Sequence, residues 1–146
     1  MVVTEYLAKN RILFDLDAVD YKQAMEQMLH VSEVETSEAI ERIMEREATM
    51  STVLGNGVAL PRVILENKAK TEIIMAIIPK GAKFESLDLL PIKIIILHLF
   101  SKKDNHAAIL AQTLRLMNDD NLKNEIINCR TGNDVIEVIK EWEEDE

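Results

Sequence analysis

Cysteine is nearly missing from this chain: Cys129 stands alone among 146 residues. A single thiol excludes an internal disulfide framework and any thiolate metal cluster built by one chain. Three scattered histidines add no zinc spacing, so no metal is expected. Aromatic residues make up only 4%, which leaves Ile, Leu, Val and Met to fill the core. The longest apolar runs, Ile73 to Ile78 and Ile94 to Leu97, fall far short of the ~20 residues needed to span a bilayer. Positive charge is in deficit, 17 Lys and Arg against 26 Asp and Glu, for a net charge of −9. That balance argues against non-specific binding to nucleic acid or to an acidic membrane. Met1 to Asn10 lacks a signal-peptide core, and with the lone thiol this points to the cytoplasm. No repeat, linker or low-complexity tract breaks the chain, which favours one domain over residues 1–146.

What is present is a hydrophobic fraction of 47%, enough for a substantial core in a domain of this size. A brief helix is expected over Thr4 to Ala8, then a short strand at Ile12 to Phe14. From Asp20, apolar residues at Tyr21, Ala24, Met25, Met28 and Leu29 mark one helical stripe, with Asp20 and Gln23 as a capping box. Thr36 is the expected N-cap of a second helix burying Ala39, Ile40, Ile43 and Met44. The middle third turns β-branched, with strands expected at Val58 to Leu60, Val63 to Leu65, Glu72 to Ile78 and Ile92 to Leu99. The run Ile94 to Leu97 is apolar at every position, which predicts a strand covered on both faces. Helices then return. One is capped at Asp104 or Asn105 with Ala107, Leu110, Leu114 and Met117 on one side, and one runs from about Asn121 to Asn128. The last is opened by Thr131 with Asp134 and buries Val135, Val138, Ile139 and Trp142. The acidic end, Glu143 to Glu146, is expected to fray. Helices on both faces of a mixed β-sheet follow, an α/β fold.

The segment that points to function is Gly55-Asn56-Gly57-Val58-Ala59-Leu60-Pro61-Arg62, with Glu45-Arg46-Glu47 before it. Half of the four glycines and one of three prolines fall here. Glycine admits positive φ and close approach; proline fixes φ and removes a donor. A turn, a short strand and a proline-stiffened corner are expected to hold Arg62 in a defined place. No P-loop, dinucleotide fingerprint or nucleophile elbow occurs, and Gly55-x-Gly57 alone is a weak phosphate-loop signal. No cofactor is expected.

This segment, together with Ser51-Thr52, resembles the active-site region of enzyme IIA domains of the bacterial sugar phosphotransferase system (PTS). The class is the type-2 EIIA one, with mannitol, fructose and nitrogen-regulatory members. The match keeps order and spacing, and the resemblance covers essentially the whole chain, implying a type-2 EIIA-like α/β sandwich. In that family the residue after the proline is a histidine that accepts a phosphoryl group from the carrier HPr. Here it is Arg62, and Val53 stands where the family usually has glycine. Guanidinium is protonated at physiological pH and its nitrogens are all donors, so no catalytic phosphoacceptor is expected at Arg62.

Four residues are candidates for binding phosphate or another small anion: Arg46, Thr52, Arg62 and His106. Arg62 reads either as a bidentate anion fork or as a surface arginine in a degenerate site. Arg46 corresponds to the family's arginine beside the phosphorylation site; alone it would read as an exposed helix residue. Two guanidinium groups together need an anion or a carboxylate, and Glu47 is the candidate carboxylate. His106 matches the family's second histidine at a helix start, a position that favours anions; it also reads as a turn residue without a role. His98, within an apolar strand, reads as a satisfied core histidine. These residues suggest a regulatory, partner-binding module that has lost phosphotransfer, its partners an HPr-like carrier or regulatory target proteins. The alternative is an active phosphocarrier loaded at His106.

Overall fold

The structure, a computed structural model, describes residues 2–49, 51, 53–82, 84 and 90–145, apart from the side chain of Leu54. Two 3-10 turns (Val3–Tyr6 and Lys9–Arg11) lead into β1 (Ile12–Phe14). Two helices follow, α1 (Tyr21–Leu29) and α2 (Thr36–Thr49). The sheet is completed by β2 (Val53–Gly55), β3 (Val58–Ala59), β4 (Arg62–Leu65), β5 (Glu72–Ala82) and β6 (Ile92–Ser101). The chain then returns through α3 (His106–Met117), α4 (Asp120–Ile127) and α5 (Gly132–Glu144).

The sheet runs β1-β5-β6-β3-β2, with β4 also on β6. β5 and β6 pair antiparallel at its centre, while β1, β3 and β4 add parallel partners. Six strand segments therefore occupy five positions, because β3 and β4 share one side of β6. The expected mixed α/β sandwich is what forms.

Alternation along the central strands explains why both tolerate unbroken apolar sequence. Ile73, Met75 and Ile77 pack with Ile94, Ile96 and Phe100 under α3, α4 and α5. Ile74, Ala76 and Ile78 pack with Ile95, Leu97 and Leu99 under α1 and α2. Successive strand side chains point to opposite faces, so each isoleucine run feeds two cores at once. Truncating any one of these isoleucines to alanine costs about 2–5 kcal/mol.

Caps set most helix starts. Asp20 accepts from the Gln23 N–H, Asn105 from Ala108 and Thr131 from Asp134, each through its side chain. The structure departs from the sequence reading in several places, among them β2, which was not expected, and Val138 and Trp142, which are only partly buried. The helix expected over Thr4 to Ala8 is instead the 3-10 turn Val3–Tyr6, with a second turn following at Lys9–Arg11. Thr36 begins α2 rather than capping it; the Glu35 carboxylate takes the Ser37 N–H at 3.2 Å. The buried side of α3 is Ile109, Gln112, Thr113, Leu116 and Met117, and Leu114 is exposed. Glu143 does not fray: it accepts from the Val3 N–H and from the Thr4 hydroxyl, the latter at 2.7 Å.

Candidate functional site

The glycine turn takes the conformation that its composition requires. Gly55, Asn56 and Gly57 all have positive φ, at 89°, 54° and 80°. Such angles are routine for glycine and tolerated by asparagine. The Gly57 carbonyl accepts from the Lys93 and Ile94 N–H groups at 2.8 and 3.0 Å, which anchors the turn to the start of β6. From there the chain runs along β6. Val58 pairs with Ile94 and Arg62 with His98 at the same sequence offset, so register continues through Leu60 and Pro61. Pro61 is thus not a corner. It interrupts the ladder only because it has no N–H to donate, while its carbonyl still accepts from the His98 N–H at 2.9 Å.

Arg62 is half-buried at the start of β4. Burial pushes its guanidinium below the ordinary arginine value; the charge of Arg46 pushes the same way and that of Glu47 opposes. The arginines and the carboxylate named from the sequence therefore share one electrostatic neighbourhood. Arg46 projects from the last turn of α2 and is exposed. The Glu47 carboxylate accepts from the Tyr21 hydroxyl at 3.1 Å, which ties the C-terminal end of α2 to the first residue of α1. Beside it opens a cleft of about 490 Å³ lined by Tyr21, Met44, Glu47, Ser51, Val53 and Phe84. Thr52 lies outside the described residues.

His98 is fully buried. Its Nε2 lies 3.1 Å from the Thr113 hydroxyl oxygen, and that hydroxyl donates to the Ile109 carbonyl at 3.0 Å. The neutral ring carries one N–H, so either Thr113 accepts from Nε2–H or Pro61 accepts from Nδ1–H, according to the tautomer. Nδ1 faces the Pro61 carbonyl at 3.4 Å. Burial pushes the imidazole down to about 4; the Pro61 carbonyl works against this and the Arg62 charge adds to it. At neutral pH His98 is uncharged and closed to solvent.

His106 opens α3. Its Nε2–H donates to the Ser101 carbonyl at 2.7 Å, and its ring stacks on Phe100 at 4.4 Å between centroids. Phe100 in turn lies 5.4 Å from the His98 ring. The three rings form a row from the strand to the helix start. Phe100 and Thr113 were missed in the sequence, since neither carries a motif signal; period-two spacing from His98 could have found Phe100. Among the described residues no group of three His, Cys, Asp or Glu side chains could hold a metal ion. No described helix is long and apolar enough to cross a membrane.

The family of the phosphoenolpyruvate-dependent sugar phosphotransferase system, EIIA 2, matches residues 5–142. This chain belongs to that family. Over 145 residues it is 26% identical to a nitrogen regulatory protein of Bradyrhizobium diazoefficiens, covering 95% of each chain. It is also 29% identical over 101 residues to a multiphosphoryl transfer protein of Vibrio cholerae, covering 67% of this chain and 24% of that protein. A fructose-specific EIIABC component of Bacillus subtilis is 22% identical, with 97% of this chain and 23% of that protein covered. The chain thus spans about a quarter of those two larger relatives. Among solved structures, the nitrogen regulatory protein IIA-Ntr of Neisseria meningitidis superposes with a TM-score of 0.80 at 18% identity, covering 94% and 98% of the two chains. IIA mannitol of Escherichia coli gives 0.74 at 20% identity, covering 91% and 98%. These EIIA structures have the same fold as this chain.

Nothing at Arg62 offers a lone pair, His98 is enclosed, and His106 has committed Nε2 to a backbone carbonyl. What the site does offer is two guanidinium groups that disfavour one another and one carboxylate between charges and cleft.

Proposed function

We propose that this chain is a single EIIA-type domain, nitrogen-regulatory-like, in which Arg62 occupies the phosphoacceptor position and phosphohistidine transfer has been lost. It acts in the cytoplasm as a regulatory module that binds other proteins. Arg46 and Arg62 hold phosphate or another small anion, the bidentate fork of each suiting such a ligand. The observation that carries this reading is the half-buried Arg62, set immediately after Pro61 and disfavoured by the charge of Arg46. An anion between the two would remove that repulsion. The similarity to nitrogen regulatory proteins over nearly the whole of both chains supports a regulatory role.

The competing reading, a phosphocarrier loaded from HPr at His106, would have to use Nδ1, because Nε2–H is held by Ser101. The test is incubation with the upstream enzyme, HPr and phosphoenolpyruvate, followed by intact-mass analysis. No acid-labile phosphate is expected on the chain. A phosphorylated His106 would overturn the reading.

A further inference from the structure

One groove among the described residues does not include Arg62 in its lining. It lies between α1 and α2 and has a volume of about 860 Å³. Its floor is Ile40 and Met44, one turn apart on α2. Its rim is acidic: Glu26 from α1 and Glu35, Glu41 and Glu45 from the α2 side, against the single cation Lys22. Glu35 is held ionised by the Ser37 hydroxyl and N–H, which lower its pKa. Among the described residues, none of Glu26, Glu41 and Glu45 is in an ion pair. A second depression of about 360 Å³ shares Glu35 and adds Glu33 and Glu38; Lys68 also lines it, and its Glu66 is paired with Lys102 at 2.7 Å. Arg46 is not part of the groove's lining.

We propose that this groove is a docking site for a basic amphipathic helix of a partner protein. An apolar floor with i, i+4 spacing between two helices is the surface into which a helix lays its apolar stripe. Four glutamates on the rim select lysine and arginine flanking that stripe, and they disfavour an anionic membrane or a nucleic acid. A second copy of this chain would bring the same negative rim to the contact. The proposal rests on the reading of the chain as a partner-binding module and gives that module a surface. It is tested independently of Arg62: failure to dock here leaves the phosphotransfer result standing, and phosphorylation elsewhere leaves this result standing.

The probe is a synthetic amphipathic helix of about five turns, leucine on one face and lysine on the remainder. Its control keeps the leucine face and replaces every lysine with glutamate. Titrated into the isotope-labelled chain at physiological salt, the basic peptide is expected to shift amide resonances along α1 and α2 around Ile40 and Met44. The control peptide is expected to shift none. E41K/E45K should weaken binding about tenfold or more, and E41Q/E45Q by a smaller factor in the same direction. E137K/E141K, on exposed positions of α5, should leave it unchanged. Equal weakening by both lysine pairs, shifts scattered over the surface, equal binding of the acidic peptide, or self-association through these residues would each overturn the proposal.

Discussion

Arg62 and His98 are register partners on neighbouring parallel strands, so a half-buried guanidinium stands beside a fully buried, uncharged imidazole. Burial holds His98 at about 4, with the Pro61 carbonyl opposing and the Arg62 charge adding. The unfolded chain keeps its histidine near the ordinary value of about 6.5. As pH falls from about 6.5 towards 4, the unfolded state takes up a proton that the folded state refuses, so stability falls. The gap corresponds to about 3 kcal/mol. Thermal unfolding across this window should show the loss in the parent chain and a much flatter response in His98→Gln. The same slope in both would contradict this account of His98.

Added phosphate should raise the unfolding temperature of the parent chain. In Arg62→Ala that rise should vanish, and Arg46→Ala should reduce it. Without phosphate, losing a partly exposed charge should change stability by less than about 1 kcal/mol. An undiminished phosphate response in Arg62→Ala, read by calorimetry, would remove the anion site.

Glu72 joins elements far apart in sequence. Its carboxylate meets Lys68 Nζ at 2.6 Å, the Ser32 hydroxyl at 2.9 Å and Arg11 at 3.3 Å. Burial alone would raise its pKa, but the Lys68 and Ser32 hydrogen bonds and the charges of Lys68 and Arg11 together bring it below the usual value. A depressed carboxylate stabilises the fold above its unfolded pKa, and that contribution disappears as pH drops through the folded one. Glu72→Gln should therefore destabilise the chain at pH 7 and lose less of its remaining stability on acidification below about 4.5. Parallel acid-unfolding curves for the two chains would count against this role.

Gly132 begins α5 against the N-terminal segment. A Cβ there would lie 2.6 Å from the Lys9 carbonyl oxygen and 3.1 Å from the Lys9 Cα. Alanine in a helix ordinarily gains up to about 1 kcal/mol over glycine, whereas overpacking against fixed backbone costs about 1–3 kcal/mol. The clash should win. Gly132→Ala is expected to lower the midpoint of denaturant unfolding, and an unchanged or higher midpoint would show that Lys9 yields.

What could be read from the sequence was local or periodic. Asp20 and Thr131 declared helix starts, and the α3 start was narrowed to Asp104 or Asn105, because a cap is settled within three residues of itself. The run Ile94 to Leu97 declared a two-faced strand because nothing polar interrupts it. The buried side of α3 was misread for a complementary reason: Gln112 and Thr113 are polar yet buried, and Thr113 is there because His98 needs a partner across the layer. Counting apolar residues cannot find such a pair. Glu143 was misread similarly, since its partners Val3 and Thr4 lie at the other end of the chain. At the site, Arg46, Glu47 and Arg62 were named through the motif, and the charges of Arg46 and Glu47 both act on the Arg62 guanidinium. Tyr21 and Phe100 were not, because their roles exist only once α1, α2 and β6 have packed.

The most direct test of the central claim sets the parent chain beside Arg62→His. Each is incubated with phosphoenolpyruvate, the upstream enzyme and HPr, and phosphate uptake is followed by intact mass and by acid lability. The account predicts that the parent stays unmodified while Arg62→His gains one acid-labile phosphoryl group on the new imidazole. A parent chain that is phosphorylated as readily as the variant would contradict it.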